Sequence, residues 1–209
     1  MGGRVYARRS RSAGHRSGYH RRVTKLALDP SRSRVRIRTF AQGLLARLAH
    51  DLELVCGNLT GSAERTSSDA GSGSIEVPIG AIDVAGTLKD GRVDPNGLSP
   101  SDREDCLVKM RRDVFHAHAN GSASGVVRIE AKLEAGKAHV RLVPPNGRAA
   151  ERLVNVRLEP KGDTGTRVTG TFDVSLSAIG SDPVKGPMNA FRVKDSVEVL
   201  FELVFDETR

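Results

Sequence analysis

The chain has 209 residues, 38% of them hydrophobic, and a formal charge of +8. That length suits one domain with a sizeable core, and no apolar run reaches the roughly 18 residues needed to span a bilayer as a helix. The charge is local: Arg4, Arg8, Arg9, Arg11, Arg16, Arg21 and Arg22 put +7 on residues 1–22, leaving +1 for residues 23–209, so the domain itself is not a basic nucleic-acid binder.

Residues 1–22 are rich in Gly, Ser and Arg and offer almost nothing to bury, so they are expected to form a disordered basic tail. The tail lacks the apolar stretch of a secretory signal, which places the expected location in the cytoplasm. Two readings of it stay open. An Arg-rich arm can neutralise phosphates of nucleic acid or a membrane surface. It can equally be a solvated extension, or the product of a start assigned upstream of Val23, since a valine codon can initiate in some bacteria. The folded domain is expected over residues 23–209.

From residue 34 onward the pattern alternates with period two. Val35, Ile37 and Thr39 share one face, opposite Arg34, Arg36 and Arg38. A short amphipathic helical turn is expected over Gly43–Leu52, where Leu44, Leu45, Leu48 and Leu52 fall at helical spacing. The Ser/Gly-rich stretch Ala63–Ser74 reads as a mobile loop. Ile75, Val77 and Ile79 resume the alternation, with Pro78 marking an edge or bulge. Ser99-Pro100-Ser101-Asp102 is a helix start, with a capping Ser, Pro at the first position and acids behind it. The stripe Cys106, Leu107, Met110 and Val114 follows, with Arg111 and Arg112 near the carboxyl end, and the helix is placed across one barrel mouth.

Further strands are predicted at Val127–Leu133, Ala138–Leu142, Val154–Leu158, Val168–Leu176 and Val197–Phe205. Turn signals at 134–137, 144–147 and 161–165 separate them. Seven or eight such strands, each with one dry and one wet face, make an all-β antiparallel barrel or sandwich.

Polar constellations are sparse. Cys56 and Cys106 lie in different predicted elements without metal-ligand spacing; two buried thiols are expected, with a disulfide left open. His50-Asp51 is either an oriented imidazole or a turn cap beside a packed histidine. His116 and His118 would share a face if extended, and could take His50, His139 or a carboxylate as a third metal ligand; the bland reading is solvated histidines, and no metal or cofactor is expected. There is no Gly-x-Ser-x-Gly elbow, no cysteine beside a base and no phosphate loop. A non-enzyme is expected.

Several segments in order resemble the YceI-like family of lipocalin-like, polyisoprenoid-binding barrels. They are LALDPSRSRVRIRTF, GLLARLAHDLEL, SIEVPIGAIDV, SDREDCLVKMRRDVF, GTFDVSLSAIG and FRVKDSVEVLFELVF, covering roughly residues 26–206. The resemblance implies a lipocalin-like antiparallel barrel of about eight strands with a short capping helix. It implies an interior that holds an apolar small molecule, isoprenoid or fatty-acid-like, for transport or sequestration. The candidate lining is Val35, Ile37, Ile75, Val77, Leu107, Met110, Val174, Leu176, Val199 and Phe201, with His50 and Asp51 as polar anchors. A homodimer is left open, and nucleic acid is not expected as a partner. The competing reading is a non-catalytic interaction domain with a filled core, whose basic tail contacts an anionic partner. The chain departs from the family at His116-Ala117-His118-Ala119-Asn120, where relatives carry an aromatic-Pro-hydrophobic segment.

Overall fold

A computed structural model describes residues 23–43, 50–117, 124–161, 165–186 and 190–208. The predicted tail 1–22, Leu44, Leu45 and Leu48, His118 to Asn120 and residues 162–164 of one predicted turn lie outside the described residues.

The chain runs through β1 (Thr24–Leu28), β2 (Arg34–Thr39), β3 (Ala41–Gln42), β4 (Asp51–Cys56), β5 (Thr60–Arg65), β6 (Ala70–Pro78), β7 (Ile82–Lys89) and β8 (Arg92–Asp94). Then come helix α1 (Pro100–Lys109), a π-helical turn (Met110–Val114), β9 (Val126–Glu134), β10 (Lys137–Val143), β11 (Ala150–Lys161), β12 (Gly165–Ser175), β13 (Arg192–Val193) and β14 (Ser196–Glu207). Antiparallel pairing runs β1-β5-β6-β9-β10-β11-β12-β14, and β14 pairs back onto β1, closing an eight-strand ring. Closure leaves the ring without edges.

Three of the eight walls are interrupted long strands. β1 and β2 both lie antiparallel to β14, at Leu28↔Phe205 and Arg34↔Glu202. The turn between them is held by Asp29, whose Oδ1 accepts the Ser31 N–H at 2.9 Å. Likewise β4 and β5 follow one another along β2 and β1, and β6 and β7 along β5 and β4. The β6–β7 break is a 3-10 turn at Ile79–Ala81, following Pro78, which supplies no donor to continue the ladder. Above these breaks β2, β4, β7 and β8 extend the barrel as an upper wall beyond the closed ring.

Two expectations are corrected here. Ala63–Ser74 is not a loop: most of it is the β5–β6 hairpin, with six pairs from Thr60↔Glu76 to Arg65↔Gly71. Its Gly, Ser and Ala content hides a strand because neighbours on both sides complete the ladder, which overrides weak intrinsic propensity. Leu52 is not helical either. It belongs to β4, with Leu52, Leu54 and Cys56 on one face, so period two prevails there.

Helix α1 forms where its start signal predicts. Ser99 Oγ accepts the Asp102 N–H at 3.1 Å and donates to Asp102 Oδ2 at 2.6 Å, and Pro100 opens the first turn. Replacing Ser99 with Ala is expected to cost about 1 kcal/mol. Equilibrium urea unfolding would measure it, and a loss under a few tenths would show that the cap is idle.

The helix is docked onto the upper wall at a β-bulge between β4 and β7, where the register shifts between Glu53 and Leu54. Arg103 Nη1 donates to Val84 O at 2.5 Å, and Nη2 donates to Pro95 O. Beside the same bulge, Glu53 is a buried carboxylate on the outward side, paired with Arg38 Nε at 2.8 Å and Arg36 Nη1 at 3.7 Å. Both arginines sit on the charged face that alternation assigns to β2. Among the described residues, no helix is long and apolar enough to cross a membrane.

Candidate functional site

The inward faces of the barrel bound two apolar chambers. The upper one, of about 480 Å³, lies under α1 and is walled by Ile37, Leu54, Val77, Leu142, Val174 and neighbours. The lower one, of about 600 Å³, is walled by Leu133, Val156, Phe172, Phe201, Phe205 and neighbours. Each falls in the roughly 300–1,000 Å³ range of small-molecule sites. Val35, Ile129 and Val199 border both, so the chambers meet at that level of the barrel.

The lower chamber exists because one half of its wall is small. Ala63, Gly73, Ala131 and Ala138 line it on β5, β6, β9 and β10, and the large side chains stand opposite on β12 and β14. Phe172 and Phe201 meet edge-to-face with ring centroids 6.1 Å apart, a favourable aromatic geometry. Its open end is ringed by polar groups, among them Glu64, Ser67, Glu159 and Thr166. There Arg65 pairs with Glu207 and donates to Thr166 Oγ1 at 3.2 Å, tying β5 to β14 and β12.

The upper chamber is roofed by three segments. The π-helical turn brings Met110 and Val114 to the lumen, and the chain then reverses at His116, whose φ of 52° ends the helix in the left-handed region. The excursion after β12 contributes Val184, Lys185, Gly186 and Phe191. It is stitched to the helix by Asp182 N–H to Asp113 O at 2.8 Å and Lys109 Nζ to Lys185 O at 3.0 Å. The first of these also satisfies the Asp113 carbonyl at the helix end, a position whose carbonyls lack partners within the helix. The third segment is Phe40–Ala41, where β3 pairs with β13.

Most of the sequence-derived lining candidates converge. Val35, Ile37, Val77, Met110, Val174, Leu176 and Val199 line the upper chamber; Ile75 and Phe201 line the lower one, which Val35 and Val199 also border. Leu107 borders neither and packs in the core. Of the two polar anchors, His50 lies at the upper chamber with Asp102, Asp105, Lys109 and Lys185. Asp51 does not: its Oδ1 accepts the Ala41 N–H at 2.8 Å and holds β3 to the start of β4. Sequence reasoning missed the roof excursion, Leu142 and Ile129 as lining, although alternation had placed the last two on the dry faces of their strands.

Among the described residues, the other polar candidates do not assemble. His116 is not extended and faces Asp182 Oδ2 at 3.7 Å. His139 is on the outer face of β10, opposite Lys132. Among the described residues no group of three or more His, Cys, Asp or Glu could hold a metal ion. Both cysteines are free thiols, and both border the upper chamber. Burial pushes the Cys56 thiol up to about 12 and raises Cys106 as well, the latter helped by Asp102 and Asp105.

A raised thiol pKa favours the protonated native state, so its contribution to stability is present below the unfolded value near 9.0 and is lost as pH rises toward about 12. At pH 8 the native protein should leave Cys56 unalkylated by iodoacetamide over a period in which the urea-unfolded chain reacts fully. Mass spectrometry reads the difference, and equal rates would contradict the burial of this thiol.

No family model matches the chain, and no curated protein matches it either. Solved structures do. A polyisoprenoid-binding domain from Saccharophagus degradans, described as implicated in plant cell wall breakdown, is 8% identical with a TM-score of 0.57, covering 90% of this chain and 100% of that one. BcnA of Burkholderia cenocepacia is 15% identical with a TM-score of 0.56, covering 85% of this chain and 98% of that one. At such identities the likeness is one of fold, and it agrees with the segments matched in the sequence: this chain has the YceI-like, lipocalin-type barrel fold.

Proposed function

We propose that the protein holds an apolar chain, isoprenoid or fatty-acid-like, inside the barrel, for carriage or sequestration rather than chemistry. The observation that carries this reading is the distribution of polarity. Among the described residues, charged side chains border the chambers only at Asp102, Asp105, Lys109 and Lys185 above, and at Glu64, Arg65, Glu159 and Glu207 below, while the wall between is apolar. A dry tube with wet ends suits a chain whose transfer from water gains about 25 cal/mol per Å².

His50, Lys109 and Lys185 are the candidates to meet a polar head at the upper mouth. The enclosed thiol of Cys56, held protonated, is a poor nucleophile. The polyisoprenoid-binding description of one structural neighbour supports the same reading.

Native mass spectrometry and organic extraction of protein purified from its own host test it. A co-purifying apolar chain, or saturable stoichiometric binding of farnesol to stripped protein, is the expected result. Consistent failure of both in folded protein would overturn the proposal.

A further inference from the structure

We propose that the barrel has a side entrance between β11 and β12, with Arg152 as its latch. The inference rests on the binding reading above and concerns how that ligand gets in and out.

The entrance shows in the strand pairing. β11 and β12 are joined from Lys161↔Gly165 to Val156↔Gly170, and there the ladder stops. Both strands go on. Ala150–Asn155 of β11 continues against β10 alone, and Thr171–Ser175 of β12 against β14 alone. Carrying the register onward would set Asn155 against Thr171, Leu153 against Asp173 and Glu151 against Ser175, and none of these pairs forms. Backbone groups alternate sides along a strand. The Val156 N–H turns to the β10 side, donating to Gly136 O at 2.9 Å, so those of Asn155, Leu153 and Glu151 turn into the seam.

Arg152 marks the same split. By alternation it shares a face of β11 with Val154, which is buried, and Val156, which lines the lower chamber, yet Arg152 itself is exposed. The inward row loses its cover where β12 draws away. Arg152 Nη1 donates to Glu151 O at 2.8 Å on its own strand, and Nε donates to Asp173 O at 3.3 Å across the seam. One side chain thus stands in for the missing ladder.

The joints on either side are stronger. Six residue pairs hold β10 to β11, and eleven hold β12 to β14. A way through the seam releases a side-chain bond and leaves both ladders intact. Behind the latch, Phe172 lines the lower chamber and Val174 the upper one. Phe172 pairs with Val199, which borders both, so the seam faces the level where the chambers meet. A chain entering sideways reaches both chambers there. At the two ends it would meet the three-segment roof or the charged ring crossed by Arg65 and Glu207.

Stopped-flow fluorescence on the full-length protein, freed of bound apolar material, tests the entrance. The probe is cis-parinaric acid, a linear fatty acid that fluoresces in apolar surroundings. In Arg152→Ala the association and dissociation rate constants should both rise about tenfold, with Kd unchanged, because a latch alters the barrier and not the bound state. Leu153→Cys combined with Asp173→Cys places two thiols across the seam on its outer side. Oxidising that pair should slow both rates at least tenfold, and reduction should restore them.

Unchanged rates in Arg152→Ala, or a changed Kd carried by dissociation alone, overturn the latch. Equal rates in the oxidised and reduced double variant overturn the entrance. Should either variant fail to fold, or the disulfide fail to form, the other decides both. No saturable binding of cis-parinaric acid by the wild type overturns the binding reading itself, a result distinct from any of those.

Discussion

Ile79→Ala is expected to destabilise the protein by about 3 kcal/mol, within the roughly 2–5 kcal/mol of large aliphatic truncations in cores. Ile79 is 0% exposed and borders neither chamber, so its surroundings are solid packing. It sits in the 3-10 turn that separates β6 from β7, where the closed ring gives way to the upper wall. Its N–H bonds Gly125 O at 3.0 Å, which fixes the chain entering β9. A Cβ placed on Gly125 would stand 3.4 Å from Ile79 Cδ1 and 2.9 Å from the Pro145 ring, so this corner has no slack to close over a vacated volume. The melting temperature should fall by roughly 10 °C, taking about 3 °C per kcal/mol for a chain this size. Leu153→Ala, at a side chain 57% exposed, serves as the control and should change stability by less than about 0.5 kcal/mol. A loss below about 1 kcal/mol for Ile79→Ala would show that the corner relaxes. Val199→Ala should cost less than Ile79→Ala, because Val199 already faces open space on its lumenal side.

The barrel was legible wherever alternation and turn signals agreed, as at Val168–Leu176 and Val197–Phe205, which became the long pair β12 and β14. It was illegible where the local chemistry pointed elsewhere. The β5–β6 hairpin carries Gly61, Gly71 and Gly73 among serines and alanines, a composition that reads as a loop until its neighbours are known. Leu52 closes a leucine spacing that reads as helical from Leu44 on, yet it lies in β4, where Leu52, Leu54 and Cys56 keep strand period.

The candidate site shows the same division. Single-strand patterns place Val35, Val174 and Val199 on a dry face, and the structure brings them to the lumen. Whether a dry face lines a filled core or an open chamber depends on the opposite wall, and no local pattern reports on that. Ala63, Gly73, Ala131 and Ala138 come from four strands and leave room only once ring closure sets them facing Phe172 and Phe201. Asp51 shows the reverse case. Beside His50 it resembled part of a polar pair, yet its carboxylate is used on the Ala41 backbone.

The small wall has one counterpart on the aromatic side, and it yields the second large expected effect. Gly170→Ala should weaken binding of a chain long enough to fill both chambers by about a hundredfold, while leaving a chain confined to the upper chamber unaffected. Gly170 is the cross-strand partner of Phe201, and the Phe201 ring lies against the space where a side chain would begin. A Cβ there would come 2.6 Å from Phe201 Cζ and 3.0 Å from Asn155 O, so the ring has to move. Phe has only two side-chain torsions, and the strand backbone blocks retreat through the wall. The displaced ring therefore enters the lower chamber, toward Phe172. Excluding about four methylenes of ligand from that space forfeits roughly 3 kcal/mol, or two powers of ten in affinity. Titrating decanol and eicosanol against both proteins separates this outcome from general unfolding: in the variant eicosanol should weaken while one decanol, in the upper chamber, still binds as in the wild type, whereas unfolding would abolish both. Equal affinity of the variant and the wild type for eicosanol would mean that the ligand never reaches Phe201, and that the lower chamber stays empty in the complex.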